Sequence, residues 1–266
     1  GLAVQPSAVK EAALALGIST ILQPASLKDP VFLEALQALQ PDIIAVVAFR
    51  ILPREVYTLA RLGAFNVHGS LLPKYRGAAP INWAIIQGEK ETGVTTFKLQ
   101  HEIDTGKIIF QEKIPIGDNE TAGELYDRMK HIGAELVLKT VQAIEAGSYP
   151  QTEQNNMAGL KKAPKIFTDD CLIQWNNDVT SIFNQIRGLS PYPSAFTLLQ
   201  KKTLKIFSAN KIRTPHQHRA GEISTDGKTY LRFAAADGYI DVTELQLEGK
   251  KRMKTEEFLR GFRLNG

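Results

Sequence analysis

Three residues of this chain have types and spacing suited to chemistry. Asn66 and His68 stand two apart in "NVHGSLLPKYRG", shortly after the apolar run "PDIIAVVAF". On extended chain, residues two apart project from the same face. Asp104 opens "DTG" within "LQHEIDTGKIIF", where Gly106 permits a close backbone approach. An amide and an imidazolium can donate hydrogen bonds to a developing oxyanion, and a carboxylate can orient the imidazole and handle protons. The set suits transfer of an acyl group to an amine. Taken singly, each has a plainer reading: a histidine at a strand end is often structural, and "DTG" is an ordinary turn.

The elements that must hold these residues are legible around them. "SAVKEAALALG" has Ser7 as N-cap, helical apolar spacing and Gly17 as a stop, and "DPVFLEALQALQPD" repeats the plan with Asp29, Pro30 and Pro41. "DIIAVVAF" is a continuous apolar run, the mark of a strand buried on both faces. "PREVYTLARLG" reads as a helix and "AFNVHG" as a short strand. "AAPINWAIIQGEK" then reads as a helix, "GVTTFKLQ" and "KIIFQEKIPI" as two strands, and "TAGELYDRMKHIGAELVLKTVQAIEAG" as a long amphipathic helix. This alternation predicts an open α/β sheet, in which ligands bind beyond the carboxyl ends of the strands. "SYPQTEQNNMAGLKKAPKI" loses all periodicity and reads as a linker. Beyond it, the helix "DVTSIFNQIRGL" and several short, closely spaced strands predict a small β-barrel. The predicted organisation is therefore residues 1–149, 150–167 as linker, and 168–266.

Composition excludes several classes. With 43% apolar and 23% charged residues, the chain is an ordinary globular one, and no apolar run approaches the roughly 20 residues that cross a bilayer. The start lacks the basic and apolar regions of a signal peptide, so a cytoplasmic protein is expected. Cys171 is the sole cysteine, which rules out an internal disulfide; in "TDDCLIQW" it reads as a small buried strand residue. His216 and His218 in "HQH" lack further ligands and read as solvated, so no metal is expected. Net charge is +4, but residues 151–266 hold 18 Lys and Arg against 12 Asp and Glu. A basic second half suits either a polyanionic partner or a solvated surface. Lys161, Lys162, Lys165, Lys250, Lys251, Arg252 and Lys254 are the candidate phosphate contacts.

The segment "NVHGSLLPKYRGAAPINWAIIQGEKETGVTTFKLQHEIDTGKIIFQ" closely resembles the folate-dependent formyltransferase family. Asn-x-His, Ser-Leu-Leu-Pro, Arg-Gly-x-x-Pro and Asp-x-Gly occur in that family's order and spacing. "QPSAVKEAAL", "APKI" and "IRGLSPYPSAFT" are similar to the branch that acts on methionyl-tRNA, and the likeness runs essentially the full length. The resemblance implies a Rossmann-like formyltransferase domain followed by an OB-like barrel that helps hold tRNA. It implies 10-formyltetrahydrofolate as donor and the amino group of initiator methionyl-tRNA as acceptor, with a monomeric enzyme expected. Asn66, His68 and Asp104 match the family's catalytic trio, and Ser70, Leu71, Leu72 and Pro73 the segment lining the folate site.

The chemistry agrees with that implication. An α-amino group titrates near about 7.7, and esterification of the carboxyl lowers this, so no strong base is required. The site's main task is to stabilise the oxyanion: Asn66 and His68 serve it, while Asp104 sets the orientation of His68 and relays the amine proton. The family's chain begins with a β-α unit ahead of the "QPSAVKEAAL" segment, and here that unit is expected to be lacking. Where relatives carry Ala-Tyr-Gly after the central strand this chain reads "AFRILP", and Arg50 either reaches toward the folate or covers the sheet end. Two alternatives stay open: a formyltransferase for a nucleotide-linked amino sugar, and a non-catalytic tRNA-binding fragment.

Overall fold

The structure is a computed structural model that describes residues 6–47, 51–155 and 160–262. Arg50 lies outside the described residues. The chain divides into two compact units, residues up to 44 with 49–64, and residues 45–48 with 65–266.

The first unit carries helices α1 (Ala8–Ala15), α2 (Pro30–Ala38) and α3 (Arg54–Tyr57). Ser7 and Asp29 cap α1 and α2 by accepting from Lys10 N and Val31 N. The helix expected over "PREVYTLARLG" is a single turn. Long-range hydrogen bonds end it, because Arg61 N donates to Pro41 O and Leu62 N to Asp42 O. Those amides are no longer available to a helical ladder.

The second unit contains two larger sheets, a two-stranded one and the helices that cover them. A mixed sheet runs in the order β1 (Ile44–Val47), β2 (Ala64–His68), β4 (Glu91–Lys98), β5 (Ile108–Pro115). Between β2 and β4 in sequence come the short β3 (Arg76–Gly77) and the helix α4 (Pro80–Ile86). On β1, Val46 is buried but Val47 is exposed, so burial on both faces does not hold there. An apolar run reports what a strand can bury; packing decides which faces are covered.

The long helix α5 (Ala122–Glu145) starts at Thr121, which forms a reciprocal capping box with Glu124. It lays Leu125, Met129, Leu136 and Ile144 toward the sheet at helical spacing. Thr140 on this helix donates to Leu136 O and shares a hydroxyl–hydroxyl hydrogen bond with Thr96 on β4.

After β6 (Lys162–Ala163), a 3₁₀ turn over Thr168–Cys171 leads to α6 (Val179–Leu189). Cys171 therefore ends a helical turn rather than sitting in a strand, as its thiol donates back to Phe167 O. The residue is buried as expected, and burial pushes its thiol up. The remaining strands are β7 (Ala195–Leu199), β8 (Lys202–Arg213), β9 (Ile223–Thr225), β10 (Leu231–Ala235), β11 (Gly238–Leu247) and β12 (Met253–Lys254), closed by α7 (Thr255–Gly261). They pair antiparallel in the order β7-β8-β11-β10-β9, with β12 on β11. Ile182, Ile186 and Leu189 of α6 fill the concave side against Leu204, Ile206, Phe233 and Leu245. The result is an OB-like half-barrel beside a Rossmann-like open sheet.

Candidate active site

Strand β2 positions the first two candidates through its register with β4, where Asn66 faces Phe97 and His68 faces Thr95. His68 is 6% exposed. Its Nε2 lies 2.8 Å from the carbonyl oxygen of Tyr75. A carbonyl only accepts, so Nε2 carries the proton and Nδ1 is left to face the site. Nδ1 is 3.8 Å from Asp104 Oδ2, within ion-pair reach and too long for a hydrogen bond. Asn66 contributes a buried Oδ1 with no hydrogen-bond partner.

Asp104 sits at φ 55, a left-handed conformation that Asp tolerates better than most residues. Its Oδ2 accepts from Gly77 N at 3.0 Å. Gln154 clamps the same loop by donating to Asp104 O at 2.9 Å and Gly106 O at 2.8 Å. Gln154 Oε1 in turn accepts from Arg76 Nε and Nη2. Two glycines are dictated by space. A Cβ on Gly106 would lie 1.7 Å from Lys98 O, and one on Gly77, at φ +128, would lie 2.3 Å from Ala163 O. The latter contact follows from β3 pairing in parallel with β6. Gln154 and β6 thus complete the floor of the site.

The loop after β2 is pinned from below by β4 and β5. Thr95 Oγ1 donates to Ser70 O at 2.6 Å and accepts from Leu72 N at 3.2 Å, while Gln111 Nε2 donates to Leu72 O at 2.9 Å. Ser70 is fully buried and its hydroxyl donates to Lys74 O. Leu72 belongs to a small apolar cluster with Phe97 and Ile108. Leu71 packs above Gly93, and Pro73 is half-buried. The buried side chains of Ser70 and Leu72 leave the main chain, Leu71 and Pro73 as the parts of this segment that can meet a ligand.

The basic candidates fall in two places. Lys161, Lys162 and Lys165 lie on or beside β6; Lys250, Lys251, Arg252 and Lys254 lie in and after the turn from β11 to β12. Lys161 is bonded to Glu89 at 2.8 Å, Lys251 to Glu257 at 3.2 Å and Arg252 to Glu244 at 2.6 Å. Lys162, Lys250 and Lys254 are exposed, and Lys165 lies over the Phe167 ring. His216 and His218 pack against Tyr239, with His216 Nε2 on Ala235 O and His218 on Glu222. Among the described residues no group of three His, Cys, Asp or Glu could hold a metal ion.

A groove of about 660 Å³ lies away from the trio, flanked by α4 and α6 and lined by Trp83, Lys90, Asn184, Arg187 and Lys211 among others. Its polar groups are largely engaged within the protein: Arg187 donates to Gly117 O, Glu120 O and Asn184 Oδ1, and Trp83 Nε1 to Pro164 O. Sequence reasoning missed Tyr75, Thr95, Gln111 and Gln154. Thr95, Gln111 and Gln154 act on residues 16 to 50 positions away and Tyr75 through a backbone carbonyl, and no local pattern signals either.

A family model described as Formyl transferase matches residues 2–141, and one described as Formyl transferase, C-terminal domain, matches residues 165–263. The methionyl-tRNA formyltransferase of Bacteroides thetaiotaomicron is 49% identical over 273 residues, spanning 100% of this chain and 84% of the relative. That of Parabacteroides distasonis is 50% identical over 272 residues, spanning 99% and 84%. Among solved structures, WlaRD, a sugar 3N-formyl transferase, aligns with a TM-score of 0.67 at 22% identity, over 91% of this chain and 82% of its own. HypX from Aquifex aeolicus in complex with tetrahydrofolic acid aligns at 0.65 and 21% identity, over 88% and 42%. Those two likenesses concern the fold. The relatives settle the family: sharing about half its residues with them along nearly its whole length, the chain belongs to the formyl transferases, in the methionyl-tRNA formyltransferase branch.

Proposed function

We propose that this chain transfers the formyl group of 10-formyltetrahydrofolate to the α-amino group of initiator methionyl-tRNA. The observation that carries the site assignment is the buried approach of His68 Nδ1 to Asp104 Oδ2, with the unbonded Oδ1 of Asn66 two residues earlier on the same strand. The neutral amine attacks the formyl carbon, forming a C–N bond as the carbonyl π pair moves to oxygen. Asn66 Oδ1 accepts an amine N–H, and its amide N–H supports the oxyanion. Nε2–H of His68 is held by Tyr75 O, so Nδ1 is the working nitrogen. Neutral, it takes a proton from the amine; protonated, it donates to the oxyanion. Collapse restores the carbonyl and breaks the bond to the folate nitrogen, which receives the proton by way of Asp104.

In this reading residues 1–149 form the transfer domain, 150–167 the linker and 168–266 the tRNA-holding barrel. Folate lies along Ser70–Pro73, contacting main chain, Leu71 and Pro73. Lys162, Lys165, Lys250 and Lys254 meet phosphates directly; Lys161, Lys251 and Arg252 first exchange a carboxylate partner for the nucleic acid. The protein acts as a monomer in the cytoplasm; no described helix is long and apolar enough to cross a membrane.

The test offers methionyl-initiator tRNA and a nucleotide-linked amino sugar in parallel, with 10-formyltetrahydrofolate as donor. Formylation of the tRNA alone is expected. Formylation of the sugar would overturn the acceptor while leaving the trio in place, and tRNA binding without transfer would overturn the enzyme assignment.

A further inference from the structure

His68 owes its ring orientation to a residue that does not face the reaction. Tyr75 is 3% exposed and sits at φ 60. A non-glycine residue in that left-handed region is strained and persists only where its surroundings over-determine it. Three contacts do so. Tyr75 N donates to Lys161 O at 2.7 Å. Tyr75 Oη donates to Glu89 Oε1 at 2.8 Å. Arg76 and Gly77, the next two residues, pair with Lys162 and Ala163. Glu89 is itself held by Lys161 Nζ at 2.8 Å, so Lys161 grips Tyr75 twice, once through its own carbonyl and once through Glu89.

We infer that Tyr75, locked by Glu89 and Lys161, is a positioning residue that fixes the tautomer and orientation of His68. The Tyr75 carbonyl is the only partner that Nε2 has among the described hydrogen bonds. A backbone relaxing from left-handed to right-handed φ swings its carbonyl through a large arc. Losing the phenol anchor frees that relaxation, and Nε2–H then loses its acceptor. The imidazole would populate both tautomers, and a site built for Nδ1 as the working nitrogen would be correctly set only part of the time. This role gives Lys161 a duty other than phosphate contact. It also makes the linker part of the catalytic apparatus, two steps removed from the reacting atoms.

The inference rests on the assignment of His68 above, and its test separates the two. Tyr75→Phe keeps the ring and its packing and removes only the hydroxyl. Glu89→Gln is the second variant, keeping an acceptor while discarding the charge that Lys161 holds. The histidine ring nitrogens of the full chain are read by ¹⁵N NMR, with the His68 signals assigned by their loss in His68→Gln. Kinetics with 10-formyltetrahydrofolate and methionyl-initiator tRNA give kcat and each KM separately.

Wild-type His68 is expected as the Nε2–H tautomer alone, with Tyr75→Phe showing a mixture. The pH profile of kcat should change shape in Tyr75→Phe. Its kcat should fall about ten- to a hundred-fold, as for a catalytic group displaced by up to an ångström. Both KM values should stay within about two-fold, because binding surfaces are untouched. A wild-type ring protonated on Nδ1 alone, or an Nε2–H tautomer unmoved in both variants, overturns the inference. A tautomer mixture with kcat intact upholds the positioning and overturns the catalytic role of His68 instead.

Discussion

Replacing Asn66 with alanine should stabilise the protein while disabling it. The amide oxygen is buried and has no hydrogen-bond partner. A buried polar group left unmet costs about 1–3 kcal/mol, and Asn is a poor strand residue besides. Against this, truncation removes a few packing contacts from a side chain that is only half-buried. The balance is a gain of about 1 kcal/mol, which for a chain of this size raises Tm by about 2–4 °C. Transfer moves the other way. If Asn66 meets the amine and the oxyanion, its loss removes a contact worth about 10²–10³ in rate, or about 3–4 kcal/mol of transition-state stabilisation. The two effects are measured on one preparation, by thermal melting and by single-turnover formylation of methionyl-initiator tRNA. A fall in Tm alongside the loss of rate would refute the reasoning, since Asn66 would then be holding the strand together. Retention of rate within a few-fold would refute it from the other side.

Four further outcomes follow from the same geometry. Gly106→Ala places a Cβ against Lys98 O, so the loop bearing Asp104 must retreat by more than about 1 Å; kcat should drop roughly 10²-fold, and a normal kcat would show that Asp104 does not need its present position. Burial works to raise the Glu89 carboxyl, but hydrogen bonds from Lys161 and Tyr75 and the charge of Lys161 outweigh it and hold it below its ordinary value. Its stabilisation is therefore present above the unfolded carboxylate pKa of about 4.3 and lost as pH falls through the lower folded value; Glu89→Gln should flatten that part of an acid unfolding profile. Arg187→Leu removes a buried guanidinium that donates to Gly117 O, Glu120 O and the buried Asn184 Oδ1, and should cost about 1–3 kcal/mol by urea unfolding. Lys162→Ala should weaken tRNA binding and reduce the slope of log affinity against log salt by about 1, whereas Lys251→Ala, whose ammonium is already paired with Glu257, should change it less.

Local chemistry was legible in the sequence wherever it is written locally. Ser7 and Asp29 cap the helices they precede, because a short polar side chain before a periodic apolar run satisfies the orphan amides it adjoins. That Asn66 and His68 share strand β2 was legible from its pattern, and Asp104, expected at another strand end, lies 3.8 Å from His68 Nδ1. What escaped was long-range. The truncation of α3 is set by amides that bond back to Pro41 and Asp42. Gln154 looks like one more polar residue in an aperiodic stretch, and only the fold brings its amide against Asp104 and Gly106. The basic residues were visible as charges, but the carboxylates already occupying Lys161, Lys251 and Arg252 were not.

The short parallel bridge between β3 and β6 bears on how the protein is made. Arg76 meets Gln154 across 78 residues of chain, and the pairing of Gly77 with Ala163 spans still more. A ribosome releases the segment bearing Asn66, His68 and Asp104 well before it releases the one that clamps Asp104 and anchors Tyr75. Contacts of such separation form late, since chain entropy must be overcome before they return any stability. A nascent chain that has emerged only through α5 thus possesses every candidate catalytic side chain and no finished site. The clamp on the Asp104 loop arrives only with Gln154 and β6, just ahead of the C-terminal half-barrel.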